Sequence, residues 1–281
     1  MRKSCLVASR SRRKCVQRIV LLLAVLCSLA ARPTTGHEFW IEPKQFRPAP
    51  GAKVPITLYV GQYFMGNSYP FLSDSFERFY YVDARGTENI RGVLGDDPAA
   101  TLTIRAPGRI WIVLRSAYFD LSYDKPGEFD AFLAREGIDH LVPRERRGPL
   151  PVKETYSRSA KSLLVAGDPP SGSAPDRAFG LPLELVAESD PYAGRPAEFR
   201  VRLLFRGSAL PGALVTAFHK AVPDRRLEAR TDASGRARLA LDRDGLWLLN
   251  AVHLLPAQKK GGALWETLWA SLTFELPRRK E

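Results

Sequence analysis

After residue 37 the chain alternates between apolar and polar positions with a period of two over most of its length. VPITLYVGQ, SFERFYYVDA, ATLTIRA and RIWIVLRSAYF are rich in β-branched and aromatic residues and are bounded by turn residues, the pattern of half-buried strands. PGEFDAFLAREGI breaks the alternation. There Phe129, Phe132, Leu133 and Ile138 recur near one helical face and Gly137 marks a stop, which predicts a helix near 127–138. In YSRSAKSLLV the alternation returns, with Tyr156, Arg158, Ala160 and Ser162 on one face and Ser157, Ser159 and Lys161 on the other. GDPPSGSAPDRAFG, residues 167–180, is dense in Pro, Gly, Ser and Asp and reads as a linker. Beyond it LPLELVAE, AEFRVRLLF, GALVTAFHK, RLEARTD, GRARLALD, GLWLLNAVHLL and LWASLTFEL form a second series of strand signals. The expected fold is all-β: two β-sandwich domains, immunoglobulin-like or transthyretin-like, at 37–166 and 181–281, the first with a short helical insertion.

Ahead of this pattern lies a segment of another kind. Seven basic residues and no acid occur in residues 1–18, followed by the apolar run IVLLLAVLCSLAA. That run is shorter than the roughly 20 residues that span a bilayer, and it suits the core of a signal peptide. Thr34 and Gly36 fit cleavage before His37, and Ser28 and Ala30 fit an earlier cut. The expectation is a signal peptide at 1–36, a periplasmic or secreted protein, and no membrane span in the mature chain. SRRKCV leaves the route open between general and twin-arginine export.

Removing that segment changes the chemistry available. Eight of the 42 basic residues and no acids precede His37, so the formal net charge falls from +12 to +4. A mature chain so weakly basic gives no footprint for nucleic acid. All three cysteines (Cys5, Cys15, Cys27) go as well, which leaves imidazole, carboxylate and backbone groups as metal donors. No G-x-S-x-G, phosphate-binding glycine loop or H-E-x-x-H occurs, so nothing points to catalysis.

The four histidines then carry most of the interest. Once first in the chain, His37 would offer a metal both its α-amine and its imidazole. His253 shares a strand face with Trp247, Leu249 and Ala251, as a core histidine or a ligand. His140 follows the helix, where a contact to the helix end is the plain alternative. His219, in FHKAVPD, reads as a surface turn. Tyr63, Phe64, Tyr69 and Phe71 offer either a stacking surface for a glycan or protein partner or a cover for a sandwich end.

HEFWIEP, YSRSAKSLL, LPLELV, LWLLNAVHLLP and WETLWASLTFELP together resemble the NikM-like family of exported proteins, a domain of unknown function often labelled a periplasmic component of nickel or cobalt uptake. The resemblance runs over essentially the whole mature chain. It implies an accessory that binds a divalent metal, nickel or cobalt, and serves an envelope metal transporter or receptor. His37 and Glu38 stand in the opening motif, Tyr156, Arg158 and Lys161 in the middle one, His253 in the late strand, and Trp265, Glu266 and Trp269 in the closing one. On this reading His37, His253 and His140 converge on the metal, with Glu38 or Glu266 as an oxygen ligand or as acceptor for an imidazole N–H. Leu254 stands where relatives often carry a methionine, which removes a soft donor and weakens a copper reading. The rival expectations are a non-metal module for a glycan or protein, and a copper protein using an N-terminal histidine.

Overall fold

The alternating segments form strands, and the computed structural model describes residues 36–167, 175–194, 196–258 and 262–278. The expected signal peptide thus lies, except for Gly36, outside the described residues. The strands β1 (Glu38–Pro43), β2 (Lys53–Gln62), β3 (Met65–Tyr69), β4 (Phe76–Asp83), β5 (Gly86–Asn89), β6 (Ala100–Thr103), β7 (Gly108–Ser116) and β8 (Phe119–Tyr123) precede the helix α1 (Glu128–Arg135). After it comes β9 (Val152–Ala166), then β10 (Leu183–Ala187), β11 (Phe199–Phe205), β12 (Ser208–Ala209) and β13 (Leu214–His219). The series ends with β14 (Val222–Arg230), β15 (Arg236–Leu239), β16 (Gly245–Pro256) and β17 (Trp265–Leu276). The fold is all-β with a single α-helix among the described residues.

Three sheets form. Two have four strands each: β1-β2-β3 with β6 beside β2, and β10-β11-β12 with β15 beside β11. The third has nine, in the order β14-β13-β16-β17-β9-β7-β4-β5 with β8 also on β9. Strands from either side of the 167–180 segment therefore meet in one sheet. They do so where β17 runs parallel to β9, from Trp265 beside Glu154 to Thr273 beside Ser162.

The period of two explains how one strand serves two cores. On β9, Ala160, Leu164 and Ala166 pack with Phe39, Ile41, Ile56 and Leu58 of the first small sheet. Leu163 and Val165 pack with Leu185, Val201 and Leu203 of the other. The helix covers a further stretch of the large sheet: Phe129, Phe132 and Leu133 bury against Tyr123, Val252, Leu254, Trp265 and Trp269. Its last carbonyls are satisfied from β14, since Arg226 Nη2 donates to Arg135 O at 2.7 Å and Arg230 Nη2 to Gly137 O at 3.1 Å. Gly137 sits at φ +64° with Leu214 so close that a Cβ would come within 2.7 Å of it, which fixes the helix stop the sequence predicts.

Lys161 is the exception among these packed side chains. It is 1% exposed and its Nζ lies 2.9 Å from Asp176 Oδ2 and 3.1 Å from Glu184 Oε1. Nζ also donates to Arg177 O at 3.1 Å. Removing the ammonium leaves two buried carboxylates without their cation, so Lys161→Ala should cost about 3–5 kcal/mol in urea unfolding. An unchanged unfolding midpoint would show that the group contributes nothing to holding residues 176–184 on the sheet.

Candidate functional site

The head of β1 gathers the charged groups of the first motif. Phe39 and Ile41 anchor the strand on the large sheet, and Thr273 Oγ1 donates to Ile41 O at 2.6 Å. Trp40 faces the other way, stacked on Tyr59 with ring centroids 5.3 Å apart and edge-on to Phe64 at 5.2 Å. Gly36, just before the strand, lies so near the Trp269 indole that a Cβ would come within 2.7 Å of the ring. His37 is therefore held between α1 and β9. Arg135 Nη2 donates to Gly36 O at 3.0 Å, and Arg158 Nη2 reaches His37 O at 3.5 Å. Burial, then the charges of Arg135 and Arg158, lower the His37 pKa, so its imidazole stays neutral near neutral pH.

Two carboxyl groups sit in the same neighbourhood. Glu38 is buried, and its Oε2 has no hydrogen-bond partner. Burial first, and the nearby Glu136 second, push its pKa up to about 8, against the backbone amides of Tyr63 and Phe64 and the charge of Arg135. Those amides belong to the two-residue turn between β2 and β3, where Tyr63 and Phe64 both take left-handed φ values of +57° and +62°. Asn and Gly usually fill such a turn, and two bulky aromatics hold it here at a cost in strain. Glu136 is also buried and raised in pKa by that burial, while Arg135 Nε donates to its Oε1 at 2.8 Å.

Along β9 the same face continues with Glu154, Tyr156 and Arg158. The Arg158 guanidinium lies 4.7 Å from the Tyr156 ring centroid and 5.8 Å from that of Phe39, and its Nε has no hydrogen-bond partner. Thr267 Oγ1 donates to Glu154 Oε2 at 2.6 Å, and burial pushes the Glu154 carboxyl up to about 7. Arg135, Glu136 and Glu154 were not among the residues expected from the sequence. Glu154 is reachable by extending the period of two back from Tyr156. The pair on α1 has no local signal beyond ending a helix.

The remaining expected residues lie elsewhere. His253 is opposite Leu268 on β17, 4.8 Å from the Phe205 ring, and burial followed by Arg206 lowers its pKa. Its neighbours Val252 and Leu254 face α1 and Trp269, so His253 occupies the opposite face of the sheet from His37. His140 is exposed in a short 3₁₀ turn, Asp139–Leu141. Lys161 serves its ion cluster. Trp265 and Trp269 pack under α1, and Glu266 accepts from Tyr118 Oη at 2.8 Å. Among the described residues, no group of three or more His, Cys, Asp or Glu is arranged to hold a metal ion. His219, expected at the surface, is buried beneath Trp247, with Nε2 2.8 Å from Asp244 O and Nδ1 accepting from Ala221 N–H. The aromatic run after β2 turns inward: Phe64 is fully buried, and Tyr69 and Phe71 pack on Phe39, Phe76 and Phe79.

Glu38 links this site to pH. Its folded pKa of about 8 exceeds its ordinary 4.5, so the folded state holds a proton that the unfolded chain releases. Between those values Glu38 costs stability increasingly as pH rises. Glu38→Gln should therefore gain stability relative to the parent between pH 5 and pH 8, measured by denaturant unfolding at both. A difference that stays flat, or runs the other way, would show that Glu38 is ionised in the folded protein throughout.

No curated protein matches the chain. Among solved structures it is similar to the D0–D1 domain of intimin, with 13% identity, 84% of this chain and 97% of that chain covered, and a TM-score of 0.20. It is also similar to a tetra-tandem repeat from the extending region of a large adhesion protein, at 14% identity with 86% and 49% covered and a TM-score of 0.20. At these scores the likenesses carry no argument. The family model described as Domain of unknown function (DUF4198) matches residues 34–254. The chain belongs to the DUF4198 family.

Proposed function

We propose that the chain is an exported accessory protein that binds a divalent transition metal, nickel or cobalt, for uptake through the cell envelope, as its NikM-like motifs imply. Export rests on the basic and apolar segment before His37. One observation carries the metal reading: next to His37 in the chain, the buried Glu38 carries a carboxyl oxygen with no hydrogen-bond partner. Cleavage before His37 would place its α-amine beside the Trp269 ring and Arg135, whose charge favours the neutral, ligating form. The imidazole is kept neutral by the same surroundings. Arg135 and Arg158 oppose a cation there, and burial favours the protonated acids of Glu38 and Glu136, so a metal bound here would have to displace the Glu38 proton. The chain after residue 27 has no thiol, so the donors are nitrogen and oxygen, which suit nickel and cobalt.

His253 and Glu266, on the other face of the sheet, have no part in this site, and neither does the exposed His140. An envelope transporter or receptor is the partner that the reading calls for. Copper outcompeting nickel in vitro would follow from its general affinity and would not choose the metal.

The test is calorimetric titration with Ni²⁺, Co²⁺, Cu²⁺ and Zn²⁺ of protein shown by mass to begin at His37, beside a form with one extra N-terminal residue. One-to-one binding should collapse in the extended form and in His37→Ala, and weaken by about ten-fold or more in Glu38→Gln. Absence of binding to the form that begins at His37, or equal binding by both forms, would remove the metal reading.

A further inference from the structure

A second site lies on the sheet face away from His37, where β17 begins beneath the β11–β12 turn. A cavity of about 440 Å³ opens there, lined by Arg115, Tyr118, Leu181, Arg206, Glu266 and Leu268. That volume is within the range of small-molecule sites, about 300–1,000 Å³. Its charges are unusual. Glu266 is 6% exposed, and Tyr118 Oη donates to its Oε1 at 2.8 Å, while among the described residues no hydrogen bond or ion pair engages its second oxygen. Arg206, an exposed residue, lines the same cavity with its guanidinium 4.9 Å from the Phe205 ring centroid, and among the described residues no ion pair joins it to a carboxylate. Arg115 is already engaged by Glu77, with Nε 3.0 Å from Oε2. One unmatched cation and one half-matched carboxylate thus share a cavity without pairing.

The backbone holds Arg206 there against its preference. Arg206 and Gly207 form the two-residue turn between β11 and β12, and Arg206 takes φ +50°, a conformation that favours glycine or asparagine. Arg206 N–H donates to Pro182 O at 2.9 Å, which fixes the turn over the cavity. Strain retained at a charged residue facing a cavity fits a binding role.

We infer that this cavity binds a small zwitterion of the α-amino-acid type, its ammonium on Glu266 and its carboxylate on Arg206. A bare metal cation is disfavoured by the two guanidinium groups, and a purely anionic ligand by the buried Glu266. A zwitterion satisfies both charges at once, and guanidinium–carboxylate pairing supplies direction as well as attraction. His253 stands beside the site, its ring tilted against the Phe205 ring over which the Arg206 guanidinium lies. The site goes beyond the metal reading and stands without it.

The experiment is a thermal-shift screen of the twenty proteinogenic L-amino acids at millimolar concentration, with calorimetry on each hit. For every hit, the amine lacking the carboxylate and the acid lacking the amine are run beside it. At least one amino acid should bind, and each single-charge analogue should bind about ten-fold more weakly or worse. Arg206→Gly should weaken binding about ten-fold while holding or raising the melting temperature, because glycine accepts that φ freely, so the loss cannot come from unfolding. Glu266→Gln keeps the shape and should weaken binding similarly. No hit across the panel, binding untouched by Arg206→Gly, or a single-charge analogue binding as tightly as its parent would each overturn the assignment.

Discussion

The parallel pairing of β9 with β17 is the constraint on which the rest of the molecule depends. Every other strand pair among the described residues is antiparallel. Parallel strands cannot be joined by a tight turn, and here seven strands, β10–β16, intervene between the two partners. Because of that one seam, β9 has covered faces on both sides and lends alternate residues to separate cores. A strand covered on both faces would ordinarily be apolar throughout. This one carries Arg158 and Lys161, and each is accommodated by a different device. Arg158 lies against aromatic rings, and Lys161 lies between two carboxylates.

Those two residues also mark how far the sequence can be read. The alternation of YSRSAKSLLV announces a strand, and the two faces counted from it are the observed ones. The basic residues suggest solvent on at least one face, because the groups that neutralise or cover them are distant in the chain. Asp176 comes from the stretch that reads as linker, and Glu184 from the following strand. The face of His253 was legible for the same reason, since a period of two needs only its neighbours. Its separation from His37 was not, because that depends on which sheet covers which face. His219 looked like a turn residue next to lysine, yet a carbonyl and an indole from the 244–247 stretch enclose it.

The central sheet keeps two chemically different neighbourhoods apart. On one face the buried carboxyl groups of Glu38 and Glu136 share the charge of Arg135 near the head of β1, where burial favours both protonated acids and Glu136 adds to the effect at Glu38. On the other, Arg206 and Glu266 share a cavity without satisfying each other. β17 contributes to both through alternate residues: Trp269 lies under Gly36, and Glu266 lines the cavity. Ligands on the two faces would touch adjoining residues of one rigid strand.

The position of β17 in the chain bears on how the protein is made. The strand that completes the middle of the large sheet follows all the other described strands in the chain. Until it leaves the ribosome, one edge of β9 has no neighbour, the indole rings that seat α1 are missing, and the first motif has nothing to rest on. A nascent chain of this design cannot close the middle of its large sheet until β17 has emerged.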